Sequence, residues 1–93
     1  MVAHRLPDQV GIVEVSTDGD ETVYVAPLPD GPIVVLRDTA LTIWREAVQP
    51  TSPLPLAERV AATYGVPTSE VLAAVEACVA DLARRGVLEV RQA

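Results

Sequence analysis

The sequence predicts an α+β fold: a small three-stranded antiparallel sheet followed by three helices on one of its faces, in the order βββααα. Up to about Leu36 the chain is made of β-branched runs cut by turn residues, whereas beyond it alanine-rich segments carry apolar residues at helical spacing. Asp18-Gly19 also falls between the first two β-branched runs, and Asp-Gly in that setting is the strongest short signal of a hairpin.

Gly11–Ser16 (GIVEVS) is the first strand and Thr22–Ala26 (TVYVA) the second, joined by a turn over Asp18, Gly19, Asp20 and Glu21. Pro27, Pro29, Asp30, Gly31 and Pro32 break the ladder, and Ile33–Leu36 (IVVL) supplies the third strand. The first helix, Thr39–Val48, sets Ala40, Ile43, Trp44, Ala47 and Val48 on one stripe, with Asp38 as its N-cap. Pro50, Ser52, Pro53 and Pro55 separate it from the second, the last two prolines being compatible with a first helical turn. Leu56, Val60 and Tyr64 form the second stripe, ended by Gly65 and Pro67.

Thr68 is placed to cap the third helix, Ser69–Arg85, with Gly86 as its stop. At 100° per residue, Val71, Val75, Cys78 and Leu82 make a continuous core stripe. Leu72 and Val79 widen it on one flank, and Ala74, Asp81 and Arg85 border the other. Val87–Val90 (VLEV) has the composition of a short terminal strand, or wing.

The length fits one domain, residues 1–93, with a core from about 11 to 90. Thirteen acids against seven bases, all of them Arg, give a formal charge of −6. That balance speaks against nucleic acid as a partner, because neutralising phosphates requires a basic face. A lone cysteine, Cys78, cannot form an internal disulfide and suits a reducing compartment. The first nine residues hold no apolar run of signal-peptide type, and no apolar run approaches the ~20 residues of a membrane span. A cytoplasmic protein without membrane association is expected.

No catalytic set emerges. Cys78 lies mid-helix on the apolar stripe, far in sequence from the one imidazole, His4, which sits in a terminus expected to fray; Cys78 reads as a small core residue. One Cys and one His make no soft metal site, and Asp18, Asp20 and Glu21 read as a solvated hairpin tip. The glycines are scattered rather than gathered before a helix, so no phosphate loop exists, and Glu58 and Glu76 have no partner carboxylate. Neither a cofactor nor a metal is implied. Trp44, in a chain without Phe, reads as core. Arg84, Arg85 and Arg91 complement the dipole at the end of the third helix, or form a cationic rim suited to an acidic peptide.

The remaining resource is backbone. An open three-stranded sheet has two edges, and the third strand is short, apolar and without an interior proline. Unless the terminal wing covers it, its outer side is open to an added strand, with alternate side chains of the incoming peptide entering the gap beside a helix.

The run Ile33–Trp44 (IVVLRDTALTIW), Tyr64-Gly65, and Val71–Leu88 ending in Arg85-Gly86-Val87-Leu88 together resemble the PqqD-like family, the precursor-peptide recognition elements of ribosomal peptide natural-product pathways. Leu36, Thr39-Ala40, Ile43-Trp44, Tyr64-Gly65 and Gly86-Val87-Leu88 occupy the family's characteristic places, so the resemblance covers about Gly11 to Val90. It implies a winged-helix-like βββααα fold and a non-catalytic adaptor. Such an adaptor captures the leader of a precursor peptide and presents it to a modifying enzyme, such as a radical-SAM protein, a cyclase or a leader peptidase. In the family the leader lies as an added strand against strand three, in the groove beside the last helix. Carried over, this implies Ile33, Val34, Val35 and Leu36 for backbone pairing. The helical wall is then Leu72, Val75, Val79 and Leu82, or the opposite flank with Ala74, Cys78, Asp81 and Arg85. Arg37, the Pro-rich segment Gln49–Pro55 and a second strand without the aromatic-rich pattern of lasso-peptide members depart from the family pattern, and they leave the pathway open.

Two readings from other classes stand beside this one. A winged-helix DNA-binding regulator shares the topology, but its third helix would bring Glu70, Glu76 and Asp81 against only Arg84 and Arg85. A structural subunit would use its edge strand to pair with itself or with a larger enzyme.

Overall fold

A computed structural model describes residues 2–48 and 54–92. In chain order the elements are β1 (Val2–Arg5), β2 (Val10–Thr17), β3 (Asp20–Pro27), β4 (Val34–Leu36), α1 (Asp38–Val48), α2 (Leu56–Tyr64), α3 (Thr68–Arg84) and β5 (Glu89–Gln92). The expected antiparallel meander is β2-β3-β4, and the three helices follow it.

The meander is organised by its first turn. Thr17 pairs with Asp20, so the loop is Asp18-Gly19 alone, with φ of 51° and 85°. Positive φ at both central residues is the conformation whose twist matches two antiparallel strands, and Asp-Gly adopts it readily. The register then runs without a bulge from Thr17↔Asp20 to Val10↔Pro27. Both strands are longer than the β-branched runs alone indicate, because the tight turn lets the ladder extend to its mouth.

The N-terminus departs from expectation. His4 does not lie in a frayed segment: β1 pairs antiparallel with β5, His4 opposite Val90, as a separate two-stranded sheet. The terminal strand is correspondingly displaced to Glu89–Gln92, while Val87 and Leu88 are buried in the core. The wing therefore joins the N-terminal strand and leaves the meander's edges alone.

The sheet's inner face meets the helices through Val23, Val25, Val34 and Leu36, all buried. From α1 come Leu41, Ile43, Trp44 and Ala47, from α2 Leu56 and Val60, and from α3 Val75 and Leu82. Leu41, outside the expected stripe, is also buried in the core. Each fully buried Val, Leu or Ile contributes about 1.5–3 kcal/mol by leaving water. Tyr64, expected on the second stripe, is exposed, its hydroxyl donating to Thr42 Oγ1 at 3.1 Å.

Helix ends follow their sequence signals with small shifts. Asp38 stands at the head of α1 in a non-helical conformation, φ 53°. Thr68 likewise opens α3, with Pro67 in the capping position, and Pro55 caps α2. Pro50, Ser52 and Pro53 lie outside the described residues. Gly65 (φ 68°) and Gly86 (φ 80°) take the left-handed conformation past α2 and α3, and Val66 and Val87 donate back to the carbonyls of Ala61 and Leu82.

Candidate functional site

The hairpin fixes which way each backbone group of the meander points. Beyond the ladder, Leu28 N–H still donates to Gln9 O at 2.9 Å. Bonded and non-bonded pairs alternate along an antiparallel ladder. Gln9, Gly11, Val13, Val15 and Thr17 therefore direct their backbone groups to β3, and Tyr24 directs its own to Val13. On the other side of β3, Val23 and Val25 turn to β4, where they meet Leu36 and Val34. Val35, opposite Tyr24, is left with its N–H and C=O aimed away from the sheet.

That outward edge of β4 is unpaired among the described residues, since the sheet order is β2-β3-β4 and β5 pairs with β1. Val34 and Leu36 send their side chains into the core, whereas Val35 is 49% exposed and Ile33, just before the strand, 68% exposed. Ile33 thus lies outside the ladder expected for it, beyond the break made by Pro32.

Helix α3 packs chiefly on α2 and α1. Its C-terminal end approaches the sheet: a Cβ placed on Gly86 would lie 3.0 Å from Pro27 Cγ. This contact ties the end of α3 to the end of β3. Of the α3 residues singled out from sequence, Val75 and Leu82 are 4% and 2% exposed and belong to the core behind any wall. Cys78 and Val79 are half-buried, while Leu72 and Ala74 are exposed. Asp81 is half-buried and holds two cations, Arg85 Nε at 3.0 Å and the Arg84 guanidinium. Arg84 and Arg85 of the expected cationic rim thus share one carboxylate, Arg91's side chain lying outside the described residues.

Nothing in this neighbourhood activates a nucleophile. Burial pushes the Cys78 thiol up from its ordinary value, and the negative charge of Asp81 adds to the shift. Among the described residues no group of three or more His, Cys, Asp or Glu could hold a metal ion. An open cavity of about 310 Å³ lies elsewhere, beside the β2–β3 hairpin, lined by Glu14, Val15, Ser16, Glu21, Thr22 and Arg45. Arg45 spans it, with Nη2 3.3 Å from Glu14 Oε1 and Nη1 donating to Glu21, which raises the guanidinium's pKa. Glu14 and Glu21 share this one cation, and none of the lining residues belongs to β4.

Sequence reasoning missed the outer face of the sheet. Val13, Tyr24 and Val35 stand opposite one another across the three strands, 59%, 36% and 49% exposed, as an uncovered apolar row. The signal was present in β2, where Ile12, Val13 and Val15 put apolar groups on both faces.

Among described residues no helix is long and apolar enough to cross a membrane. Comparison with curated proteins and with solved structures returns no match for the chain. The family model described as coenzyme PQQ synthesis protein D matches residues 19–88, from the hairpin turn through all three helices to the buried Leu88, and the chain belongs to the PqqD family.

Proposed function

We propose that this protein is a non-catalytic adaptor that binds the leader segment of a ribosomally synthesised precursor peptide as a fourth strand on β4 and presents it to a modifying enzyme. The observation that carries the reading is Val35: its backbone donor and acceptor face outward from an apolar, unpaired edge. An extended peptide there gains main-chain hydrogen bonds, and its alternate side chains enter the space between β4 and α3. Val35 supplies the pairing groups, flanked by Val34 and Leu36, whose own backbone groups face β3, with Ile33 just before the strand. Leu72, Cys78, Val79 and Asp81 of α3, with Arg85 just past its end, are accessible enough to meet side chains, whereas Val75 and Leu82 are buried. The family's name ties it to coenzyme PQQ synthesis, which supports a biosynthetic setting with a peptide precursor and an enzyme that modifies it. A radical-SAM protein, a cyclase or a leader peptidase is the class of enzyme such a presentation serves.

The DNA-binding alternative is disfavoured by charge. Glu70 and Glu76 are exposed on α3, and Arg84 and Arg85 are both engaged by Asp81.

Fluorescence polarisation tests the proposal, titrating the protein into labelled N-terminal segments of short peptides encoded beside its gene. Saturable binding to a leader, none to the core segment of the same peptide, and loss of binding in Val35→Pro are expected. Leader binding that Val35→Pro leaves intact would refute strand addition.

A further inference from the structure

The meander has a second open edge, and it is the longer one. β2 runs for eight residues, Val10–Thr17, and among the described residues pairs only with β3. Exposed edges in natural proteins are usually guarded by proline, lysine, a bulge or brevity. β2 has no proline, lysine or bulge: its register with β3 is uninterrupted, its one guarding charge is Glu14, on the inner face opposite Val23, and Ile12, Val13 and Val15 are 42%, 59% and 42% exposed.

We propose that β2 is the seam of a homodimer, two copies pairing antiparallel about a two-fold axis at Val13 to join their three-stranded sheets into one.

The choice of a second copy rests on the strand's self-complementarity. By the alternation set at the hairpin, Val10, Ile12, Glu14 and Ser16 turn their backbone groups to the open edge. A two-fold axis perpendicular to the sheet keeps outer faces together, so it must pass through a residue and pair positions of like parity. Centred on Val13, it sets Ile12 opposite Glu14 of the second copy and Val10 opposite Ser16, so every edge-facing residue finds a bonded partner. A centre on Glu14 would set two carboxylates face to face, and a centre on Ile12 would leave Ser16 without a partner.

The side chains agree with the same register. On the outer face the two Val13 residues meet at the closer, non-bonded spacing, and Gly11, having no side chain, stands opposite the Val15 of the second copy. The Glu14 carboxylate, 3.3 Å from an Arg45 guanidinium that it shares with Glu21, has Ile12 of the second copy beside it. The row Val35–Tyr24–Val13 continues across the axis into Val13–Tyr24–Val35 of the second copy, one apolar stripe over the joined sheet. Both β4 edges lie at the far ends, so dimerisation and strand addition at β4 use different surfaces.

Sedimentation equilibrium from micromolar to millimolar protein tests this, with a mass twice the 9.9 kDa of the chain expected. Val13→Lys sets two ammonium groups against each other at the axis while remaining tolerable in the monomer, where this side chain is exposed; at least tenfold weaker dimerisation is expected. Hydrogen exchange on the unaltered protein supplies a readout independent of any variant. The Ile12 and Glu14 amides should gain protection as concentration rises, and Val35 should not. A single 9.9 kDa species throughout, a dimer indifferent to Val13→Lys, or concentration-dependent protection at Val35 in place of Ile12 would overturn the proposal. A leader peptide, in contrast, should protect Val35 and leave the Ile12 signal unchanged, so each of the two readings can fail alone.

Discussion

The indole Nε1–H of Trp44 donates to the backbone carbonyl of Val87 at 3.0 Å, joining α1 to the segment that leaves α3 across 43 residues of sequence. Trp44 is 4% exposed and Val87 fully buried, so neither group has water as a substitute. Trp44→Phe keeps most of the ring volume but strands the carbonyl, and should lower stability by about 1–3 kcal/mol. The urea midpoint followed by far-UV circular dichroism reads this, since the variant has no tryptophan to report by fluorescence.

Val34 and Val35 are neighbours with opposite backbone duties, and proline separates them. At Val35 the lost N–H points to the open edge, so Val35→Pro should stay folded with a stability change within about 1 kcal/mol, yet weaken leader binding about tenfold or more. At Val34 the N–H faces β3 and the side chain is buried; Val34→Pro should lose about 1–3 kcal/mol or more of stability. Thermal melts paired with the polarisation titration separate the two. Equal stability losses would show that the ladder phase is other than described.

Two glycines offer a second paired comparison. Gly65 and Gly86 share a left-handed φ, but an added Cβ meets open space at Gly65 and Pro27 at Gly86. Gly65→Ala should cost about 1–2 kcal/mol from backbone conformation alone. Gly86→Ala adds the steric contact with Pro27, and should be the more destabilising of the two in urea unfolding.

His4 gives stability a pH dependence of definite sign. Partial burial lowers its pKa from 6.5, and the nearby Arg59 cation lowers it further. Above pH 6.5 His4 is neutral in both folded and unfolded chains, so its contribution is complete. Below that value the unfolded chain takes up a proton that the folded chain refuses until its own lower pKa is passed, and stability falls across that window. His4→Gln should flatten this part of the pH profile. Arg59→Met should move the His4 titration, followed by NMR, back toward 6.5.

Arg59 itself is an unusual core residue. It is 8% exposed, with Nη1 donating to the Glu46 carbonyl at 2.8 Å and Nε without a partner. Replacing a whole buried ion pair by apolar groups is often neutral, but removing one partner leaves the other uncompensated. Arg59→Met, which strands both the Glu46 carbonyl and its carboxylate, should therefore lower the urea midpoint, and Glu46→Ala, which removes the carboxylate 4.0 Å from Nη1 and keeps the carbonyl, should lower it less.

The parts legible in the sequence were those governed by neighbours. Asp18-Gly19 announced its turn through local backbone preference, and Gly65 and Gly86 ended their helices for the same reason. Val75 and Leu82 stood out by periodicity. The β1–β5 pair was not legible, because Ala3 and its partner Arg91 are remote in sequence and neither segment alternates clearly. Leu41 escaped because α1 buries a broader arc than a single stripe. For the candidate site, the strand at Val34–Leu36 and its openness followed from composition and topology. Which of its residues faces outward followed only from the hairpin's phase, and the depth of Val75 and Leu82 only from packing.

The small β1–β5 sheet has a consequence for engineering. Val2 stands opposite Gln92, so the two ends of this stretch of chain lie about 5 Å apart. A short bridge between them would close the backbone into a ring without moving an element. Opening that ring at the exposed Asp18-Gly19 tip would yield a circular permutant with its core intact. The same adjacency lets residues 2–92 be grafted as a guest into a surface loop of a host protein, entering and leaving through one point.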